Sequence, residues 1–140
     1  MQEQRAFTGS EWETKAGYCR ALRKGIFISV SGTVARGNNG EVVGEGSAYA
    51  QTKRCFTIIE KAILELGGSF KDITRTRVFT TDISQWEEIA RAHKEFFSMH
   101  PPAMSMYEVS KLIDPRYLVE IEVDAIVPED ENKTRMNSWS

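Results

Sequence analysis

The chain has 140 residues, of which 41% are hydrophobic and 27% charged, the size and composition of one soluble globular domain. Eighteen lysines and arginines against twenty aspartates and glutamates give a formal net charge of −2, which argues against a nucleic-acid partner. No apolar run approaches the roughly 18 residues of a membrane helix, and the polar N-terminus does not resemble a signal peptide. With only two cysteines, these features predict a cytoplasmic protein without a membrane partner.

The two ends of the chain carry no periodic pattern. We expect flexible segments at 1–15 and 128–140, flanking one folded domain at 16–127. The domain opens with two short apolar runs, at 18–22 and 25–31, which predict a β-hairpin.

The strongest helical pattern spans residues 47–66, where apolar side chains recur every three or four positions until Gly67 and Gly68 end the helix. A strand rich in β-branched residues follows at 73–81. Ser84 and Glu87 then form a capping-box pattern that predicts the start of a second helix.

The last two predicted strands span residues 103–109 and 118–126. In the second strand, apolar residues alternate with Glu120, Glu122 and Asp124, so one side is apolar and the other acidic. The element order ββ-α-β-α-ββ predicts an α+β fold with a mixed sheet and both helices on its apolar face. The acidic side would then meet water, another subunit, or arginines of a neighbouring strand in cross-strand ion pairs.

Motifs for phosphate-loop, dinucleotide or nucleophile-elbow chemistry are absent from the sequence. The two histidines and two scattered cysteines do not form a metal-binding pattern, so we expect no metal. His93 lies on the apolar face of the second helix, which favours a packed core or interface histidine. The residues alone predict an oligomeric α+β domain and no particular chemistry.

Four segments resemble the RidA/YjgF (reactive intermediate deaminase) family: 27–33 (FISVSGT), 48–83, the Pro-Ala pair at 102–103, and 119–125 (VEIEVDA). The resemblance implies a chorismate-mutase-like fold and a homotrimer that binds small molecules in clefts between subunits. It also implies hydrolysis of an enamine or imine to a keto acid and ammonia, with no cofactor.

Five positions are carried over from the family pattern. Glu120 matches the glutamate that orients water or moves a proton, which makes it the catalytic candidate. Tyr18 and Ser31 match substrate-binding positions, and the main chain of Met106 falls where the family places a carbonyl and an amide near the substrate. Met104 occupies the position of the family's substrate-binding arginine.

The methionine at this position changes the expected substrate. The family arginine grips a carboxylate through two hydrogen bonds, and a charged hydrogen bond is worth about 1.5–3 kcal/mol. Met104 offers only apolar contact, so the substrate either lacks a carboxylate or is held by another cation, with Arg20, Arg23 and Arg36 as candidates.

Three functions follow from this reasoning. The first is an imine or enamine deaminase with an altered substrate preference. The second is a non-catalytic ligand-binding or scaffold trimer, which the loss of the arginine favours. The third, an endoribonuclease or translation inhibitor, is the weakest because RNA cleavage requires basic phosphate contacts and the net charge is −2.

Overall fold

The computed structural model describes residues 2–129, so most of the segment expected to form a flexible tail, 130–140, lies outside the described residues. Three helices and one mixed sheet of six strands form a single α+β domain. The helices are α1 (Glu11–Ala16), α2 (Ala48–Glu65) and α3 (Trp86–Phe97). The strands are β1 (Glu3–Ala6), β2 (Ala21–Lys24), β3 (Phe27–Thr33), β4 (Ile73–Thr80), β5 (Ala103–Glu108) and β6 (Val119–Ile126).

The strands lie in the order β1-β2-β3-β6-β4-β5, and all neighbours are antiparallel except β4 and β5. The predicted hairpin is present as β2 and β3, and every predicted helix and strand exists within a few residues of its expected bounds. The α+β fold with a mixed sheet is therefore confirmed.

The helices cover the apolar side of the sheet, as the alternation in the last strand predicts. Val119, Ile121 and Val123 of β6 are fully buried, and α2 packs on β3 and β6. Thr76 of β4 lies opposite Val123 and binds His93 of α3, which places α3 over the same face.

Helix α2 forms where the sequence predicts it. The Ser47 side chain accepts a hydrogen bond from the Ala50 N–H at 3.1 Å and satisfies a free donor of the first turn. Gly67 follows the helix with φ +86°, a conformation that side-chain-bearing residues rarely adopt. On the buried face, Phe56 makes ring contacts with phenylalanines of α3 and of the turn before β4, so α2 organises the core.

Residues 1–15, which were expected to be a flexible segment outside the folded domain, contain β1 and nearly all of α1. Strand β1 has only Ala6 buried and joins the sheet edge through its backbone, which leaves almost no hydrophobic pattern in the sequence. Helix α1 is too short to show periodicity. The residues at its two ends could nevertheless have been recognised in the sequence. Ser10 caps the first turn, and Gly17 ends the helix at φ +74°.

The predicted capping box at Ser84 and Glu87 is also wrong. A short 3-10 turn, Ile83–Gln85, precedes α3, and the Asp82 carboxylate accepts the hydrogen bond from the Ser84 N–H at 3.1 Å. Helix α3 begins at Trp86 without a side-chain cap. Asp82 therefore caps the short turn that precedes α3, and Ser84 is not a cap.

His93 is a buried core histidine, as predicted. Its Nε2 lies 2.9 Å from Thr76 Oγ1, its ring centroid is 4.6 Å from that of Phe97, and the residue is 8% exposed. Burial disfavours the imidazolium and lowers the pKa of His93 to about 4.

This pKa predicts acid sensitivity. The unfolded chain binds a proton at His93 below about pH 6.5 while the folded chain does not, so stability falls as the pH decreases from about 6.5 towards 4, by about 3 kcal/mol in all. In urea unfolding from pH 4.5 to 7.5, His93→Gln is expected to show a shallower slope of stability against pH. The control is His100→Gln at the exposed histidine. A wild-type slope in His93→Gln would contradict this assignment.

Candidate functional site

A cavity of about 840 Å³ lies beside the bulged end of β3, between the N-terminal segment and α2. Three of the five predicted site residues, Tyr18, Ser31 and Glu120, line it. Tyr18 precedes β2, Ser31 lies on β3 and Glu120 lies on β6. Strands β3 and β6 are far apart in sequence and adjacent in the sheet.

Glu120 lies on β6 with its side chain on the sheet face that points away from the helices, because its neighbours Val119 and Ile121 face the core. It lies against Gly32, in the irregular part of the β3–β6 pairing. A Cβ added at Gly32 would lie 2.3 Å from Glu120 Oε2, so a larger residue here would move the carboxyl group out of its present position. A bulge beside a carboxylate is a common way to aim a functional side chain.

The cross-strand ion pairs expected for the acidic side of β6 form without Glu120. Arg77 lies 2.7 Å from Asp124 Oδ2 and 3.4 Å from Glu122 Oε1. Arg75 is instead 3.4 Å from the Ser105 hydroxyl. The predicted cross-strand ion pairs are therefore confirmed for Glu122 and Asp124, while Glu120 faces the cavity.

Burial raises the pKa of the Glu120 carboxyl group. The positive charge of Arg20 opposes this shift, and the negative charge of Glu122 adds to it. A half-buried carboxyl group with a raised pKa can accept and return a proton closer to neutral pH than an exposed glutamate can.

Arg20 is the cation nearest in sequence to the predicted polar residues, and it lines the cavity. The residue is 8% exposed, and its Nη1 donates to Gly32 O at 2.7 Å and to Thr33 Oγ1 at 2.9 Å. Its guanidinium lies 5.6 Å from the centre of the Tyr18 ring. Arg20 therefore fixes the main chain beside Glu120 and one wall of the cavity.

The hydroxyl group of Ser31 is less available for ligand binding than its sequence position suggests. Its hydroxyl donates to Cys19 O at 2.8 Å, and its N–H donates to Arg20 O at 2.9 Å. These bonds tie the bulge to the preceding segment. The hydroxyl oxygen can still accept a hydrogen bond from a ligand.

Sequence reasoning missed the apolar wall of this cavity. Phe7, Trp12 and Ile113 line it and are 60%, 43% and 69% exposed. Two of them fall in the N-terminal segment that was expected to be flexible. These residues form no periodic pattern in the sequence, and only the folded chain brings them into the cavity that Glu120 lines.

Arg54 was missed as well. It lies on α2 next to the buried Cys55, lines the cavity and is half-buried. The sequence signal for Arg54 was its place as a cationic residue at the border of the apolar face of α2. The thiol of Cys55 has a pKa raised by burial, and its Sγ contacts Thr33 O at 3.3 Å, so it is a packing residue.

Met104 and Met106 do not line this cavity. Both belong to β5, an edge strand separated from β3 by β4 and β6. Met104 is 38% exposed, and Met106 packs against the core. One chain therefore does not bring Met104 to Glu120.

Between residues 2 and 129, no cluster of three or more metal-binding side chains occurs. Within the same residues, no helix has both the length and the apolar character required to span a membrane.

Comparison with known proteins shows which family shares this architecture. The sequence profile described as Endoribonuclease L-PSP matches residues 8–127. The chain belongs to this family, which is also called YjgF/RidA. The match starts shortly after β1 and includes Tyr18, Ser31 and Glu120, the predicted site residues that line the cavity.

Two curated relatives align with most of the chain. An uncharacterized protein of Streptomyces coelicolor is 38% identical over 122 residues, covering 86% of this chain and 90% of the relative. The 3-aminoacrylate deaminase RutC of Acinetobacter baylyi is 32% identical over 106 residues, covering 76% and 83%.

Solved structures of YjgF/RidA proteins share the fold. A Mycobacterium tuberculosis protein, described as a member of the highly conserved YjgF/YER057c/UK114 family, superposes with a TM-score of 0.82 at 40% identity and covers 90% of this chain and all of its own. A putative endoribonuclease of Thermotoga maritima gives 0.75 at 27% identity, with 80% and 87% coverage.

Proposed function

We propose that the chain hydrolyses an enamine or imine in the cavity beside Glu120. The observation that carries this proposal is the environment of the Glu120 carboxyl group. It faces the cavity across Gly32, takes no part in the ion pairs of its own strand face, and has a pKa raised by burial. The likeness to a 3-aminoacrylate deaminase supports the same reaction class.

In this mechanism, an enamine first takes a proton from solvent on carbon and becomes an iminium ion. Water then adds to the iminium carbon, forming a C–O bond while the Glu120 carboxylate accepts one water proton, which gives a neutral carbinolamine. The protonated carboxyl returns that proton to nitrogen, the C–N bond breaks, and ammonia leaves as the hydroxyl group loses its proton to the Glu120 carboxylate and becomes the carbonyl; Glu120 then releases this proton to solvent. Arg20 limits the rise in the Glu120 pKa and so keeps a usable fraction of carboxylate.

The complete site in this proposal contains a second copy of the chain. Met104 is exposed on the free edge of β5, so it reaches a Glu120 cavity only from a neighbouring subunit. A homotrimer with a small-molecule ligand in each intersubunit cleft satisfies this requirement. Met104 would then form an apolar wall opposite the polar groups of the hairpin.

A non-catalytic ligand-binding trimer is the second candidate, and Met104 is the observation that favours it. Without a cation at this position, a family carboxylate substrate loses about 10- to 150-fold in affinity if nothing replaces the bond. The endoribonuclease alternative has less support, because His93 is buried against Thr76 and neither histidine lines the cavity.

The test is ammonia release from imines generated in place by an amino-acid oxidase. Purified wild-type protein, expected by light scattering to have about three times the mass of one chain, should release ammonia faster than uncatalysed hydrolysis. Met104→Arg is expected to shift the preference towards small carboxylate-bearing imines. If only Met104→Arg is active, the binding protein is the correct assignment, and if neither is active, the deaminase proposal fails.

A further inference from the structure

The segment at residues 7–12, which we call the N-terminal wall, forms one side of the cavity that Glu120 lines. Five of its six residues line that cavity: Phe7, Thr8, Gly9, Ser10 and Trp12. None of them is among the positions carried over from the family pattern. The wall is therefore a feature of this chain that the resemblance does not explain.

The buried carboxylate of Glu13 holds the N-terminal wall in place. The Thr8 N–H donates to Glu13 Oε1 at 3.1 Å, the Thr8 hydroxyl donates to Oε2 at 2.6 Å, and the Gly9 N–H donates to Oε1 at 3.2 Å. Hydrogen bonds to a charged acceptor are stronger than those between neutral groups. Glu13 is 5% exposed and does not itself line the cavity. It is therefore a positioning residue, whose carboxylate fixes the backbone of the wall.

Arg20 connects this anchor to the carboxyl group of the catalytic candidate. Its Nε lies 4.0 Å from Glu13 Oε2, which is an ion-pair distance but too long for a hydrogen bond. Its Nη1 donates to Gly32 O at 2.7 Å, and Gly32 lies against the Glu120 carboxyl group. A single buried guanidinium thus links the anchor of the wall to the bulge that contacts Glu120.

The other end of the N-terminal wall is fastened as well. The Ser10 hydroxyl oxygen accepts from Arg36 Nη1 at 2.9 Å and from the Trp12 N–H at 3.2 Å. Lys15 Nζ lies 5.4 Å from the centre of the Trp12 ring. The wall is therefore formed before a ligand binds, and a preformed wall lowers the entropic cost of binding.

The two aromatic side chains of this fastened wall keep much of their surface open. Phe7 and Trp12 are both exposed and both line the cavity, and the exposed Ile113 lines it from the loop before β6. Aromatic side chains provide large apolar contact areas, and small-molecule sites are lined mainly by such groups with a few polar ones. The cavity therefore has an apolar side on the wall and a polar side at Arg20 and Glu120.

We infer that Phe7 and Trp12 select the substrate by contacting a bulky apolar substituent, and that Glu13 positions them through the N-terminal wall. The inference rests on the proposed function and specifies its substrate class: an enamine or imine with an aromatic or branched apolar group. The C–N bond lies on the Glu120 side of the cavity, and the apolar group lies against the wall.

The experiment compares two keto acids by titration calorimetry. The probes are 2-oxobutanoate and 2-oxo-4-phenylbutanoate, which differ only by one phenyl group. Wild type is expected to bind the phenyl compound about tenfold more tightly, because the ring is removed from water. Phe7→Ala and Trp12→Ala are each expected to lower this preference at least about threefold. Glu13→Ala is expected to lower it as well, although Glu13 does not line the cavity, and Glu13→Gln, which keeps one carbonyl acceptor, to have a smaller effect.

Leu64→Ala is the control, because it removes an exposed apolar side chain of α2 that does not line the cavity. It is expected to keep the wild-type preference. If Glu13→Ala fails to fold, the Phe7 and Trp12 variants decide the inference, because these exposed side chains are not part of the core.

The inference is overturned if Phe7→Ala and Trp12→Ala keep the wild-type preference or change it no more than Leu64→Ala does. It also fails if neither keto acid binds to wild type. If the two variants alter the oligomeric mass in light scattering and not the preference, the aromatic side chains serve a subunit contact and the inference is wrong. Wild type that releases ammonia but binds both keto acids equally overturns the inference and leaves the deaminase proposal intact. Wild type that releases no ammonia but loses its preference in both variants overturns the deaminase proposal alone, and the wall then selects the ligand of a binding protein.

Discussion

Glu120→Gln is expected to lower the rate of imine hydrolysis by about 10²- to 10⁴-fold, the usual contribution of a general acid–base group. The amide has nearly the same shape and still fits against Gly32, but it cannot accept the water proton. The measurement is ammonia release under single-substrate steady-state conditions, with binding of 2-oxobutanoate recorded in parallel. Binding is expected to change much less than the rate.

Glu122→Gln is the matched control for this prediction, because it alters the next carboxylate on the same face of β6. Glu122 pairs with Arg77 and does not line the cavity, so its variant should keep a rate within a few-fold of wild type. Since burial raises the pKa of Glu120, the wild-type rate should fall on acidification at a pH above that of an ordinary glutamate, and Glu120→Gln should lose this limb. Equal losses in the two variants would rule out a catalytic Glu120.

Gly32→Ala is expected to reduce the rate nearly as much as Glu120→Gln while leaving thermal stability almost unchanged. The added Cβ would lie 2.3 Å from Glu120 Oε2, so the carboxyl group has to move away from its present position. The moving atoms are the end of a flexible side chain, and Gly32 does not have a positive φ, so the backbone tolerates alanine.

A double-mutant cycle isolates this effect. If Gly32→Ala acts only through the Glu120 carboxylate, adding it to Glu120→Gln should cost little further rate, whereas independent effects would multiply. A double variant much slower than either single variant would show that Gly32 has another role. A large drop in melting temperature for Gly32→Ala alone would show that the backbone, and not the carboxyl group, has to move.

Much of the fold could be predicted because its elements carry local signals. The periodic apolar face of α2 ends just before Gly67. In β6, the alternation of apolar and acidic residues indicates which side of the strand is buried. The first two elements escaped prediction because β1 is held by backbone bonds at a sheet edge and buries only Ala6. The helix start near residue 84 was misplaced because Asp82 and Ser84 both offer capping groups, and the sequence does not rank them.

The sequence by itself determined the family, the α+β fold and the position of the catalytic candidate, since each depends on the order and spacing of residues along the chain. Only the tertiary structure decided that Glu120 avoids the ion pairs of Glu122 and Asp124, and that it shares its cavity with Arg20 and an apolar wall. Ion pairing and burial depend on distances between segments far apart in the chain. Strand register and helix packing set those distances, and both come from the fold as a whole.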